Sequence, residues 1–134
     1  MKKTLMLATL FTLIIGIIFS SCKKDNPENS STTSVRYEFT SDTNGNYNLT
    51  YRTDSSQNSE MITSRTWSKT ITVDKKSITT ASLTVYPPAE WLGTTTVANA
   101  TVKIFVNDVE KASNSGTLAG VDRPAGLTVS TGIE

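Results

Sequence analysis

From Val35 onward the chain is written in a period of two. Val35, Tyr37 and Phe39 alternate with Arg36, Glu38 and Thr40, and Tyr47, Leu49 and Tyr51 alternate with Asn48, Thr50 and Arg52. Successive side chains of a strand point to opposite faces, so each run reads as a half-buried strand with one apolar face. An amphipathic helix would need apolar residues at steps of three and four, and no segment keeps that spacing over three turns. The chain is thereby confined to folds built from strands. Asn44-Gly45 lies between the first two runs, and both residues tolerate positive φ. Val35–Ser41 and Asn46–Thr53 are therefore predicted to pair as an antiparallel hairpin.

The same pattern recurs to the end of the chain. Trp67, Lys69, Ile71 and Val73 alternate with Thr66, Ser68, Thr70 and Thr72, which leaves Lys69 on the apolar side, where its stem can reach the rim. Ala81, Leu83 and Val85 form one face of Ile78–Tyr86, and Pro87-Pro88 ends that run because proline cannot donate to a ladder. Ala98, Ala100, Val102, Ile104 and Val106 form the face of another run. Asn107-Asp108 reads as a two-residue hairpin turn into Val109–Ala112. Asp54–Glu60 is expected to be a polar loop, Met61–Thr63 a short edge strand, Gly116–Gly126 a loop, and Leu127–Ser130 the last strand. Threonine and serine supply 34 of the residues after Ser21, and threonine suits half-solvated pleated faces. About seven short strands with turns between them predict an all-β fold, an antiparallel immunoglobulin-like β-sandwich.

The amino terminus follows other rules. Lys2 and Lys3 precede an apolar stretch, Leu5–Phe19, and the pair Ser20-Ser21 then meets Cys22. A positive start, an apolar middle and small residues at the end are the layout of a secretory signal. At about 15 residues the apolar run is shorter than the roughly 20 needed to cross a bilayer. Phe19-Ser20-Ser21-Cys22 resembles a lipobox, the cleavage signal of bacterial lipoproteins. The resemblance implies a diacylglyceryl group on the Cys22 thiol, cleavage before Cys22 and acylation of the new amine. Ser21-Cys22-Lys23-Lys24-Asp25 is similar to the start of many Bacteroidota lipoproteins, which implies a lipid anchor in the cell envelope, at the outer membrane, with the periplasmic or the surface side left open. Residues 1–21 are thus expected to be the signal peptide, 22–34 the lipidated cysteine and a disordered polar tether, and 35–134 the sandwich. The twelve residues from Lys23 to Ser34 could reach about 40 Å fully extended.

Four segments of the later chain line up with one family. Val35-Arg36-Tyr37-Glu38-Phe39-Thr40, Asn48-Leu49-Thr50-Tyr51, Trp67-Ser68-Lys69-Thr70-Ile71-Thr72-Val73 and Val102-Lys103-Ile104-Phe105-Val106-Asn107-Asp108 resemble, in that order, strands of the MmpS (mycobacterial membrane protein small) family. The resemblance covers most of Val35–Ala112. It implies an immunoglobulin-like sandwich in the envelope that works beside a lipid-exporting transporter. The chain departs from that family in its cysteine-ended leader and in lacking a late-strand cysteine pair.

The side chains available limit the chemistry. There is no histidine and one cysteine. Without histidine the chain lacks the usual general base near neutral pH and the commonest metal ligand. Ser68 and Lys69 are strand neighbours, so they face opposite ways and cannot form a dyad. Without Lys2 and Lys3 the balance is 11 basic to 12 acidic residues, which makes no basic field for nucleic acid. Asp42-Thr43-Asn44-Gly45-Asn46 offers oxygen ligands at alternate positions, as half a calcium loop would, but lacks the following bidentate glutamate. No enzyme activity, metal or cofactor is therefore expected. The expected role is a noncatalytic envelope module held at the membrane by its lipid, with an envelope protein or transporter as partner. Glycan or ligand binding at the surface is the alternative. The candidate binding residues are Tyr86, Trp91 and Leu92 around the Pro87-Pro88 corner, which could equally cap the open end of the core, and Phe105, which faces away from the apolar side of its strand and could pack under a loop or mark a contact patch.

Overall fold

The computed structural model describes residues 31–53, 56–76, 80–120 and 125–133. Cys22, the signal segment and most of the tether lie outside them. The described residues form eight strands: β1 (Thr32–Ser41), β2 (Tyr47–Thr53), β3 (Ser56–Ile62), β4 (Thr66–Asp74), β5 (Thr80–Tyr86), β6 (Val97–Val106), β7 (Val109–Ala119) and β8 (Leu127–Gly132). A single 3-10 turn, Ala89–Trp91, is the one helical element among the described residues. The strands make two antiparallel sheets, ordered β4-β1-β6-β7 and β3-β2-β5-β8. The fold is an antiparallel β-sandwich, with eight strands where the sequence indicates about seven.

The alternation builds the core as expected. Val35, Tyr37 and Phe39 from one sheet meet Tyr47, Leu49 and Tyr51 from the other, and all six are buried. The Phe39 and Tyr47 rings cross edge to face at 4.9 Å, and those of Tyr37 and Tyr51 lie 5.6 Å apart. The inward set of β5, Ala81, Leu83 and Val85, is fully buried, as are Val102 and Ile104 of β6.

Those ring contacts also overturn the first predicted hairpin. β1 and β2 belong to different sheets, so Asp42–Asn46 is an arch across the sandwich and not a turn within one sheet. Neither Asn44 nor Gly45 takes the positive φ that a tight turn would require; among the described residues positive φ occurs at Gly93, Asn107 and Asp108. The arch is held from outside. The Asp42 carboxylate accepts from the Asn99 backbone N–H at 3.0 Å and from its side-chain amide at 2.9 Å, while the Tyr47 hydroxyl donates to the Thr43 carbonyl at 2.6 Å. Asn107-Asp108, in contrast, is the predicted β6–β7 hairpin turn, with φ of 50° and 63°.

Three boundaries differ from expectation. β1 opens at Thr32, inside the predicted tether, because Thr33 continues the inward face: it is buried and its hydroxyl donates to Asn107 Oδ1 at 3.0 Å. The expected loop Asp54–Glu60 contains most of β3, an edge strand whose inward positions are largely polar and so show no apolar alternation. The expected loop after Gly116 is still β7, which runs to Ala119 along β6 and whose register shifts at Ile104/Phe105.

Candidate binding surfaces

The four residues singled out as a binding surface do not converge. Tyr86 ends β5 on the outer face of β3-β2-β5-β8 and is 43 % exposed. The chain then turns through Pro87 and Pro88, and the Trp91 backbone N–H donates to the Pro88 carbonyl at 3.0 Å to form the 3-10 turn. That turn drives Trp91 inward, which corrects its assignment to the surface: it is 7 % exposed and meets the Tyr47 ring edge to face at 5.8 Å. Two glycines make room for this corner. A Cβ on Gly45 would lie 2.4 Å from Pro88, and one on Gly120 would lie 1.8 Å from the Trp91 carbonyl oxygen. Trp91 is a plug in the open end of the core. Leu92, the next residue, is 50 % exposed.

Phe105 lies on the opposite side of the molecule. It points outward from β6 between Arg36 of β1 and Glu110 of β7. The Arg36 guanidinium sits 4.0 Å above its ring, bridging Glu38 and, at 3.5 Å, Asp108. Phe105 is thus half-buried under a cation that is itself held by carboxylates. Beside it Lys103 and Glu110 pair at 2.8 Å.

One polar cluster has no counterpart in the sequence reading. Glu60, expected in a loop, points inward from β3 at the open edge where β3 faces β4. Its carboxylate accepts from Lys69 Nζ at 2.8 Å, from the Tyr51 hydroxyl at 2.6 Å and from Trp67 Nε1 at 3.1 Å. The Lys69 ammonium, then the Tyr51 hydroxyl, hold the Glu60 carboxyl below its ordinary range, and Glu60 in turn holds Lys69 up. Burial, followed by Glu60, pushes the Tyr51 hydroxyl upward. The signal for this cluster was the lysine on the apolar side of β4: an inward charge on an edge strand needs a partner and discourages pairing with another chain. Trp67, on the apolar side of its run, is partly buried and packs against the core, its ring 5.5 Å from that of Tyr51.

A shallow groove of about 500 Å³ runs along Thr40, Asp42, Asn99, Thr101, Ser115 and Thr117. Its one carboxylate is already engaged: the Asn99 side-chain amide, chiefly, and the Thr43 hydroxyl keep Asp42 below the usual carboxylate range. The loop weighed as half a calcium site is therefore a structural clip. Among the described residues no group of three or more His, Cys, Asp or Glu side chains is placed to hold a metal, and no helix is long and apolar enough to cross a membrane.

Fold and surfaces together define a small antiparallel β-sandwich whose distinctive chemistry lies on two unlike outer faces and one polar edge. A scan against protein-family models returns no match, and neither does a search of the curated proteins.

Proposed function

We propose that the chain is a lipid-anchored envelope protein whose sandwich is a noncatalytic binding or accessory module for a protein partner. The observation that carries this reading is the placement of the only cysteine. Cys22 directly follows a positive start, an apolar run and two serines, and it precedes a wholly polar stretch. A diacylglyceryl cysteine with an acylated amine carries two or more chains, enough for stable anchoring at ~0.8 kcal/mol per buried CH₂. Nine residues separate Cys22 from the start of β1, a span of at most about 30 Å. Such a lead holds the sandwich close to the bilayer, at the outer membrane in our reading, within reach of a membrane-embedded complex. The resemblance of four strand segments to the MmpS family favours a transporter as that complex.

The test is the mass of the exported protein. Material from the membrane fraction should begin at Cys22 and carry the mass of a diacylglyceryl group and an amide-linked acyl chain. Cys22→Ala should leave the membrane fraction or remain unprocessed. An unmodified Cys22 thiol in the exported protein overturns the reading. The partner is tested by crosslinking in intact cells, where recovery of monomer alone would count against it.

A further inference from the structure

The two outer faces of the sandwich are unlike. On β4-β1-β6-β7, Arg36, Glu38, Lys103 and Glu110 stand on the solvent side and pair among themselves. On β3-β2-β5-β8 the outward residues form cross-strand rows with almost no charge. One row is Met61, Asn48 and Tyr86; the next is Ser59, Thr50, Thr84 and Thr128. Among the described strand residues of that face, Arg52 is the sole charged side chain.

The hydroxyl row is ordered. Thr50 and Ser59 share a hydrogen bond of 3.1 Å, and Thr84 and Thr128 one of 2.9 Å. Neighbouring strands are about 4.8 Å apart, so the row is a regular line of donors and acceptors across four strands. Tyr86 stands in the neighbouring row, two residues along β5 from Thr84, and its placement depends on a glycine. A Cβ on Gly126 would lie 2.9 Å from the ring's Cε1 and 2.9 Å from the Thr84 methyl. The missing side chain lets the ring lie against Gly126, just ahead of β8, while 43 % of the residue stays open to solvent.

Each alternative partner asks for something this face lacks. An anionic ligand would need more than one cation, a bilayer surface would need a broad apolar or basic face, and a stable protein interface would need a larger apolar centre. Sugar rings offer hydroxyls to pair with such a row and C–H faces to lie on an aromatic ring, and a neutral one brings no charge to compensate. We propose that the outer face of β3-β2-β5-β8 binds a neutral polysaccharide, with Tyr86 against a sugar ring and Asn48, Thr50 and Thr84 hydrogen-bonded to its hydroxyls. This site does not depend on the lipid anchor and is separate from any contact through Phe105.

The full chain, purified in detergent, is tested by co-sedimentation with insoluble cellulose, chitin, curdlan and starch. The wild type should sediment with at least one of them. Tyr86→Ala should weaken that binding about tenfold, the scale of one lost aromatic contact. Asn48→Ala, which leaves the ring in place, should weaken it several-fold. Phe105→Ala, on the opposite face, should bind as the wild type does, and circular dichroism should show all three variants folded. Failure of the wild type to sediment with any of the four overturns the proposal. So does undiminished binding by folded Tyr86→Ala and Asn48→Ala.

Discussion

Trp91→Ala distinguishes a plug in the core from a surface aromatic. The residue is 7 % exposed, and truncating a buried tryptophan costs about 3–5 kcal/mol, depending on how far the site can collapse. Here collapse is hindered. The corner is walled by Pro88 and by the backbone at Gly45 and Gly120, and none of these has a flexible side chain to move into the gap. The expected loss is therefore about 4 kcal/mol, in the upper half of that range. For a domain near 100 residues, with total stability of about 5–15 kcal/mol, that is a large fraction. At an m-value of about 1.5 kcal/mol/M, the urea midpoint should fall by roughly 2.5 M. Far-UV circular dichroism of the wild type and variant across a urea series measures it, with an unchanged slope showing that the same surface is exposed. Leu92→Ala, one residue on but half exposed, is the control and should cost less than about 1 kcal/mol. A Trp91→Ala loss below about 1 kcal/mol would refute the burial argument and return Trp91 to the surface.

Three further outcomes follow from the same geometry. Gly120→Ala should destabilise by about 2–3 kcal/mol, because its Cβ would meet backbone that has little freedom to yield; a thermal melt within a degree or two of wild type would contradict this. Asn107→Ala should cost about 1–2 kcal/mol, since alanine is strained at a φ of 50° and the bonds to Thr33 and to the Ser34 N–H are lost. Asn107→Gly should regain the backbone part alone, which denaturant midpoints of the two variants would show. Glu60 governs part of the acid limb. Its folded-state carboxyl is held low by Lys69 and Tyr51, so the stability it adds is complete above the unfolded value of about 4.3 and is lost as pH falls through the lowered value. Glu60→Gln should therefore flatten the fall in melting temperature below about pH 4.3, and an identical slope in the variant would argue against the cluster.

The period-two pattern carried the strand content, the inward faces and the Asn107-Asp108 turn, because each depends on a residue and its neighbours a few places away. Which strands share a sheet does not. Val35–Phe39 and Tyr47–Tyr51 present the same alternation whether they pair side by side or face each other, and only the long-range pairing of β1 with β4 and β6, and of β2 with β3 and β5, makes the connection an arch. The polar edge strand β3 was invisible for a related reason: its inward Glu60 is tolerable only because Lys69, Tyr51 and Trp67 arrive from other strands to meet it. Trp91 reads locally either as an exposed loop aromatic or as a cap on the core, and its burial depends on two distant glycines leaving space for it. Composition and spacing could name the strands and the residues able to do chemistry. Long-range packing alone decided which of those side chains face solvent, which face each other, and how the two outer faces came to differ.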